Sequence, residues 1–112
     1  GECNAILLPY VCEYNLIAAR RRFGRIAKLL GERTEGYTAN ESAEAAVKAI
    51  RQLSRDVNIP EGLIALGKKY GKEVREEDIP IMTANAQKDA CGLTNPRTMT
   101  DAAVAAIYKK AL

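Results

Sequence analysis

The sequence predicts an all-α domain of about five or six helices, and three observations support this. Apolar residues recur at helical spacing in several segments. Residues that favour the start or the end of a helix flank those segments. No segment alternates apolar and polar residues as a half-buried strand would. Because 112 residues suffice for one compact domain but not for two, we treat residues 1–112 as a single domain.

The first predicted helix covers residues 4–14. Pro9 lies inside it, and because proline has no backbone N–H, we expect a free carbonyl near residue 5 and a kink. Cys3 and Cys12 belong to this apolar segment, and we interpret both as core residues rather than metal ligands. No capping residue precedes the helix, so we expect the chain to be a piece of a larger protein.

Two amphipathic helices are predicted next. Residues 18–30 form the first, and Gly31 follows where a left-handed residue usually ends a helix. Its predicted apolar stripe is Phe23, Ile26, Ala27 and Leu30. A capping box at Thr38 and Glu41 predicts the start of the second of these helices. Pro60 predicts its end, because the residue before a proline avoids helical geometry. The predicted apolar face of this helix is Ala43, Ala46, Val47, Ile50, Leu53 and Val57.

Two further helices are predicted in the C-terminal part of the chain. The first follows the acidic run 76–78, with Asp78 as its N-cap and Pro80 in its first turn. We expect it to run to about Ala90. The last begins at Thr100, a favourable N-cap residue. Its predicted apolar face is Val104, Ile107, Tyr108 and Ala111.

The composition excludes several classes of function. The chain has no histidine, which excludes most hydrolytic triads and most general-base chemistry near neutral pH. Its three cysteines, the third being Cys91, have no metal-binding spacing, and free thiols predict a reducing, cytoplasmic setting. No apolar run approaches the about 20 residues of a membrane helix, so we expect no membrane contact. The net charge of +3 does not by itself indicate nucleic acid.

One dense basic cluster lies on the second predicted helix. It consists of Arg20, Arg21, Arg22 and Arg25. Guanidinium groups bind phosphate bidentately, so one hypothesis is a standalone interaction module that binds an anionic partner. The alternative is a solvated helix face opposite Phe23 and Ile26, and the lack of interleaved aromatic residues favours it.

Cys91 is the other candidate for chemistry. It lies at the predicted C-terminal end of a helix, where the helix dipole raises a thiol pKa, and the sequence offers no base to activate it. We therefore interpret Cys91 as a packing or pocket-lining residue rather than a nucleophile.

Several motifs, taken in order, resemble one known family. They are residues 1–11 (GECNAILLPYV), 26–31 (IAKLLG), 55–60 (RDVNIP), 76–80 (EEDIP) and 85–97 (NAQKDACGLTNPR). Together they resemble the C-terminal part of the iron-dependent (group III) alcohol dehydrogenases, and the resemblance extends over essentially the whole chain.

The resemblance implies the C-terminal all-α domain of a two-domain dehydrogenase. The parent would transfer a hydride between a primary alcohol or diol and nicotinamide, with NAD(P) bound by a missing N-terminal domain. The family holds iron or zinc with an aspartate and three histidines, and the last histidine directly precedes the motif that begins here at Gly1. All ligands would therefore lie upstream, and this fragment alone would hold no metal or cofactor, have no catalytic residue and be inactive.

The resemblance also places part of the substrate cleft for the alcohol or aldehyde. Cys91 matches a position that lines its narrow part, and the same loop continues with Thr94, Asn95 and Pro96. Two features depart from the family: Tyr10 stands where many members have histidine, and residues 67–73 look like a short insertion that forms a surface loop. We also expect a homo-oligomer, because surface that packs on the missing domain would be exposed.

Overall fold

The computed structural model describes all 112 residues, and it is entirely helical, which confirms the predicted fold class. The six helices are α1 (Glu2–Asn15), α2 (Arg20–Leu29), α3 (Ala39–Asp56), α4 (Leu63–Lys69), α5 (Ile79–Gln87) and α6 (Asp101–Ala111). Three short 3₁₀ helices lie between them, at Leu16–Ala18, Glu76–Asp78 and Ala90–Thr94. None of the helices has the length and apolar character that crossing a bilayer requires.

The helices pack around two apolar clusters. The larger one joins the second half of α1 to α2 and α3 through Cys12, Leu16, Phe23, Ala27, Ala43, Ala46 and Val47. Small residues at this contact let α2 and α3 approach closely; a Cβ on Gly24 would lie 3.4 Å from the Cβ of Ser42. The smaller cluster joins α1, α4 and the end of α6 through Ile6, Leu63 and Ala111.

Helix α1 is longer than predicted and contains Pro9, which is buried. Cys12 lies in the core, as predicted. The prediction that Cys3 is a core residue is wrong, because its side chain is exposed in the first turn of α1.

Helix α2 confirms its predicted stripe only in part. Phe23 and Ala27 are buried against α3, and Gly31 has the expected left-handed conformation, with φ +89°. Ile26 and Leu30, in contrast, remain 38% and 44% exposed. Because α2 packs mainly on one neighbour, α3, only a narrow strip of its surface is covered.

The capping box of α3 is confirmed. Thr38 Oγ1 accepts a hydrogen bond from the Glu41 N–H (3.1 Å), and Glu41 Oε1 accepts one from the Thr38 N–H (3.0 Å). Among the six predicted apolar residues, those in the first half of the helix are buried, whereas Leu53 is 54% exposed and Val57 58% exposed.

The prediction that Pro60 ends α3 is wrong. The helix ends at Asp56, and Asn58 then adopts a left-handed conformation with φ +62°. This allows the Ile59 N–H to donate to the Ser54 carbonyl at 2.9 Å, the closing bond of a Schellman motif. The left-handed conformation of Asn58, two residues before Pro60, therefore ends the helix.

Residues 67–73 are not a surface loop throughout, because they begin inside the unpredicted helix α4. Gly67 is buried there, and a Cβ on it would lie 2.6 Å from the Lys72 carbonyl oxygen. Only glycine fits this close approach of two backbone segments. The remaining residues, 70–73, are exposed.

The predicted boundaries of α5 and α6 are partly confirmed. Helix α5 ends at Gln87, short of Ala90. Asp78 does not cap it through its side chain, because its carboxylate accepts from the Arg75 N–H at 2.9 Å instead. Thr100 caps α6 as predicted, accepting a hydrogen bond from the Ala103 N–H at 3.1 Å.

Candidate functional site

The candidate site is the segment that follows α5, residues 89–97, which holds the four predicted cleft residues. Asp89 caps its 3₁₀ helix: the carboxylate accepts a hydrogen bond from the Cys91 N–H at 2.9 Å. Thr94 Oγ1 donates to the Cys91 carbonyl at 3.2 Å. The backbone of Cys91 is therefore held on both sides while its side chain remains exposed.

The Cys91 thiol is kept protonated by its neighbour. Asp89 raises the pKa of Cys91 above its usual value, first by hydrogen bonding to the thiol and then through its negative charge. The hydrogen bonds from Cys91 in turn lower the pKa of Asp89. Cys91 is thus a weak nucleophile at neutral pH, as predicted. The predicted cause is wrong, however, because Cys91 lies near the start of a 3₁₀ helix and not at the C-terminal end of a helix.

A pair of asparagines anchors this segment to the end of α1. Asn15 Nδ2 donates to Asn95 Oδ1, and Asn95 Nδ2 donates to Asn15 Oδ1, both at 2.8 Å. Asn95 Nδ2 also donates to the Arg97 carbonyl at 2.6 Å. Because Asn15 is only 7% exposed, this reciprocal pair satisfies a polar group that would otherwise be buried alone.

Tyr14 and Arg97 form a second anchor beside the first. The guanidinium of Arg97 lies 4.1 Å from the centre of the Tyr14 ring and donates to the Tyr14 carbonyl at 2.9 Å. The Tyr14 hydroxyl donates to the Thr98 carbonyl. The two anchors fix where the segment leaves its 3₁₀ helix, so the Asn-Pro-Arg motif has a structural role here.

The four predicted cleft residues therefore differ in what they offer. Cys91, Thr94 and Pro96 are exposed, whereas the amide of Asn95 is committed to the anchor. Their position in a substrate cleft remains a prediction. Sequence reasoning missed the anchoring role of Asn15; the available signal was a polar residue three positions after Cys12 on the apolar side of α1.

A small apolar cavity of about 140 Å³ lies beside this segment, between α1, α5 and α6. Its lining includes Leu7, Val11, Gly92, Met99, Val104 and Tyr108. Burial raises the pKa of the Tyr108 hydroxyl, with a smaller contribution from Cys3. The phenol is therefore neutral at physiological pH, and the cavity offers apolar contact rather than acid–base chemistry.

The chain's own residues do not make a metal site. Besides the absence of histidine, no group of three or more cysteine, aspartate or glutamate side chains converges as metal ligands would. Iron or zinc held by imidazole and carboxylate groups therefore does not fit this chain by itself.

The four arginines of the basic cluster lie on the exposed side of α2. Phe23 is on the opposite, buried side, as the solvated-face interpretation predicts, but Ile26 is exposed and does not belong to that core face.

Fold and site together define an all-α domain with a surface segment that hydrogen bonds anchor to the end of α1. The model of the Fe-containing alcohol dehydrogenase family, C-terminal part, matches residues 1–112. The chain therefore belongs to the Fe-containing alcohol dehydrogenase family, as the motif resemblance predicts.

Individual relatives agree with this assignment. The chain is 40% identical to the NAD-dependent methanol dehydrogenase of Bacillus methanolicus over all 112 residues, which cover 28% of that protein. It is 41% identical to the 1,3-propanediol dehydrogenase of Citrobacter freundii, covering 99% of this chain and 27% of the relative. The solved structure of an alcohol dehydrogenase from Oenococcus oeni superposes on this chain with a TM-score of 0.89 at 41% identity. The match covers all of this chain and 28% of the Oenococcus oeni chain.

The chain thus spans little more than a quarter of the length of the relatives it matches. None of these comparisons supports the alternative hypothesis of a standalone module that binds an anionic partner.

Proposed function

We propose that this chain acts as the C-terminal helical domain of an iron-dependent, NAD(P)-linked alcohol dehydrogenase. The parent reaction is hydride transfer between a primary alcohol or diol and nicotinamide. The observation that carries the proposal is the family match over every residue of the chain. The dehydrogenases of methanol and 1,3-propanediol among its relatives indicate small primary alcohols as the substrate class.

In this proposal the segment 89–97 forms part of the wall of the substrate cleft. Cys91 narrows the cleft and stays a neutral thiol, so it excludes water and shapes the space around the alcohol without reacting with it. Thr94 and Pro96 continue the wall. Asn95 contributes indirectly, because its bonds to Asn15 hold the wall in place.

The metal and the nicotinamide cofactor come with the rest of the parent protein in this proposal. A bound iron supplies Lewis-acid chemistry at the alcohol oxygen. Since this chain offers neither a ligand set nor a nucleotide loop, its own residues provide the fold, the wall and the surface for the nucleotide-binding domain.

That domain is the proposed partner for apolar side chains that no helix of this chain covers. Leu29 is 86% exposed and Leu93 88% exposed, and packing of the nucleotide-binding domain on these side chains would remove their apolar surface from water. We also propose a homo-oligomeric parent in the cytoplasm; the absence of disulfides among the three cysteines is consistent with a reducing compartment.

A chimera tests the proposal. Residues 1–112 replace the matching C-terminal region of the Bacillus methanolicus and the Citrobacter freundii relatives. With iron and NAD, we expect alcohol-dependent reduction of the cofactor in at least one host, whereas the isolated chain under the same conditions shows none. Folded, metal-loaded chimeras of both hosts without turnover would contradict the proposal, as would turnover by the isolated chain.

The role of Cys91 is tested in the active chimera. Cys91→Phe narrows the cleft, so we expect the KM for 1-butanol to rise more than the KM for methanol. Leu53→Phe is the matched control, because Leu53 is exposed on α3, away from the segment. Equal effects of the two substitutions would refute the placement of Cys91.

A further inference from the structure

The first two and a half turns of α2 carry an unneutralised concentration of positive charge. Five cations lie between residues 20 and 28, which span about 12 Å at 1.5 Å per residue. They are Arg20, Arg21, Arg22, Arg25 and Lys28, and all are exposed. No carboxylate approaches any of them within 4.0 Å, since the five ion pairs of the molecule involve other residues.

These cations surround a groove between α2 and the start of α3. Its volume is about 460 Å³, and small residues complete its lining: Gly24, Ala39 and Ser42. Of the five cations, only Arg20 makes a side-chain hydrogen bond, and its partner is neutral: Arg20 Nε donates to Asn40 Oδ1 at 3.2 Å. We call this site the basic groove.

The local electrostatics oppose such an arrangement in the absence of a ligand. Like charges three or four residues apart destabilise a helix, as between Arg21 and Arg25 or between Arg25 and Lys28. The first turn of α2 also holds three arginines and no acidic residue, although the helix dipole favours negative charge there. A multivalent anion in the groove would relieve both repulsions.

We propose that the basic groove binds an oligophosphate, a ligand with two or more consecutive phosphate groups. Guanidinium groups bind phosphate oxygens through paired hydrogen bonds, and their spread over about 12 Å suits two to four adjacent phosphates. No aromatic side chain lines the groove, so it has no stacking platform for the bases of single-stranded nucleic acid. The phosphates come from a free inorganic chain or from the tail of a nucleotide. This site is separate from the proposed cleft and does not depend on the dehydrogenase function.

Titration calorimetry of inorganic triphosphate into the 112-residue chain tests this. The groove variant combines Arg21→Gln with Arg25→Gln, because glutamine keeps helix propensity while removing charge. The matched control combines Lys72→Gln with Lys88→Gln, which removes two exposed charges outside the groove. Circular dichroism checks that both variants remain helical.

We expect the groove variant to bind triphosphate at least about tenfold more weakly, since it loses two charge-assisted contacts. The control should stay within about threefold of the wild type, because distant surface charges are screened. Raising NaCl from about 50 to about 200 mM should weaken binding by the wild type.

Two further ligands distinguish the sources. Adenosine triphosphate binding as tightly as triphosphate assigns the site to the phosphate chain alone, and tighter binding assigns it to nucleotides; both support the proposal. It is overturned if triphosphate does not bind at about 1 mM. It is also overturned if orthophosphate binds equally well, if a single-stranded oligonucleotide binds while triphosphate does not, or if the control variant loses as much affinity as the groove variant.

Discussion

Replacing Asn15 with alanine tests whether the asparagine pair anchors the candidate site. The substitution removes two hydrogen bonds, each with a net contribution of about 1 kcal/mol. It also leaves Asn95 Oδ1 without its protein partner, at a cost of about 1 kcal/mol given that Asn95 is only half-buried. We therefore expect Asn15→Ala to lower the free energy of unfolding by about 2 to 4 kcal/mol. A chain of 112 residues typically has a stability of about 6 to 17 kcal/mol, so the variant should fold.

Urea unfolding followed by circular dichroism measures the loss, and a double-mutant cycle identifies its source. Because both substitutions remove the same two bonds between Asn15 and Asn95, the double alanine variant should cost little more than the costlier single variant, with a coupling energy of about 2 to 3 kcal/mol. Gln52→Ala is the control: its hydrogen bonds are exposed on α3, and we expect a change below about 0.5 kcal/mol. Additive single effects, or a loss at Asn15 no larger than the control, would refute the anchor.

Three further predictions follow from other contacts. Gly67→Ala should destabilise the chain by about 1 to 3 kcal/mol, because its Cβ would lie 2.6 Å from a backbone oxygen. Urea unfolding checks this against Gly92→Ala, whose Cβ would meet no atom within 4 Å. Glu13 has a pKa below its usual 4.5, mainly through its hydrogen bond with an arginine of α3. The stability it contributes, at most about 1 kcal/mol for a partly exposed pair, is therefore present above pH 4.5 and lost as the pH falls through the lower folded pKa. The stabilities of wild type and Glu13→Gln in urea unfolding should differ at pH 7, and the difference should shrink as the pH is lowered below 4.5. Asp89→Asn should lower the pKa of Cys91 and accelerate its alkylation by iodoacetamide at pH 8, measured by peptide mass spectrometry.

Each of these has an outcome that would contradict it. Equal destabilisation at both glycines would mean that the close approach at Gly67 is relieved without cost. A stability difference for Glu13→Gln that grows on acidification would reverse the sign of the linkage. Unchanged or slower alkylation of Cys91 in Asp89→Asn would show that the carboxylate does not hold the thiol protonated.

The candidate site was predictable from the sequence only where a motif carried it. The motif resemblance placed Cys91 and the residues after it in one loop, and the structure adds how that loop is held. Asn15 and Asn95 are 80 positions apart, so no local pattern relates them. The raised pKa of Cys91 was expected, but its cause lies in Asp89 and in the 3₁₀ turn that brings the two together.

The sequence by itself determined the helical fold class and those helix ends whose signals act over a few residues. The helix starts at Thr38 and Thr100 are set by side-chain hydrogen bonds within one turn, and the end of α2 by the left-handed backbone of Gly31. The residue types at these positions are therefore sufficient to predict the helix ends. Tertiary packing alone decided which apolar residues are covered. Ile26 and Leu53 fit a helical stripe but remain 38% and 54% exposed, because burial depends on partners distant along the chain.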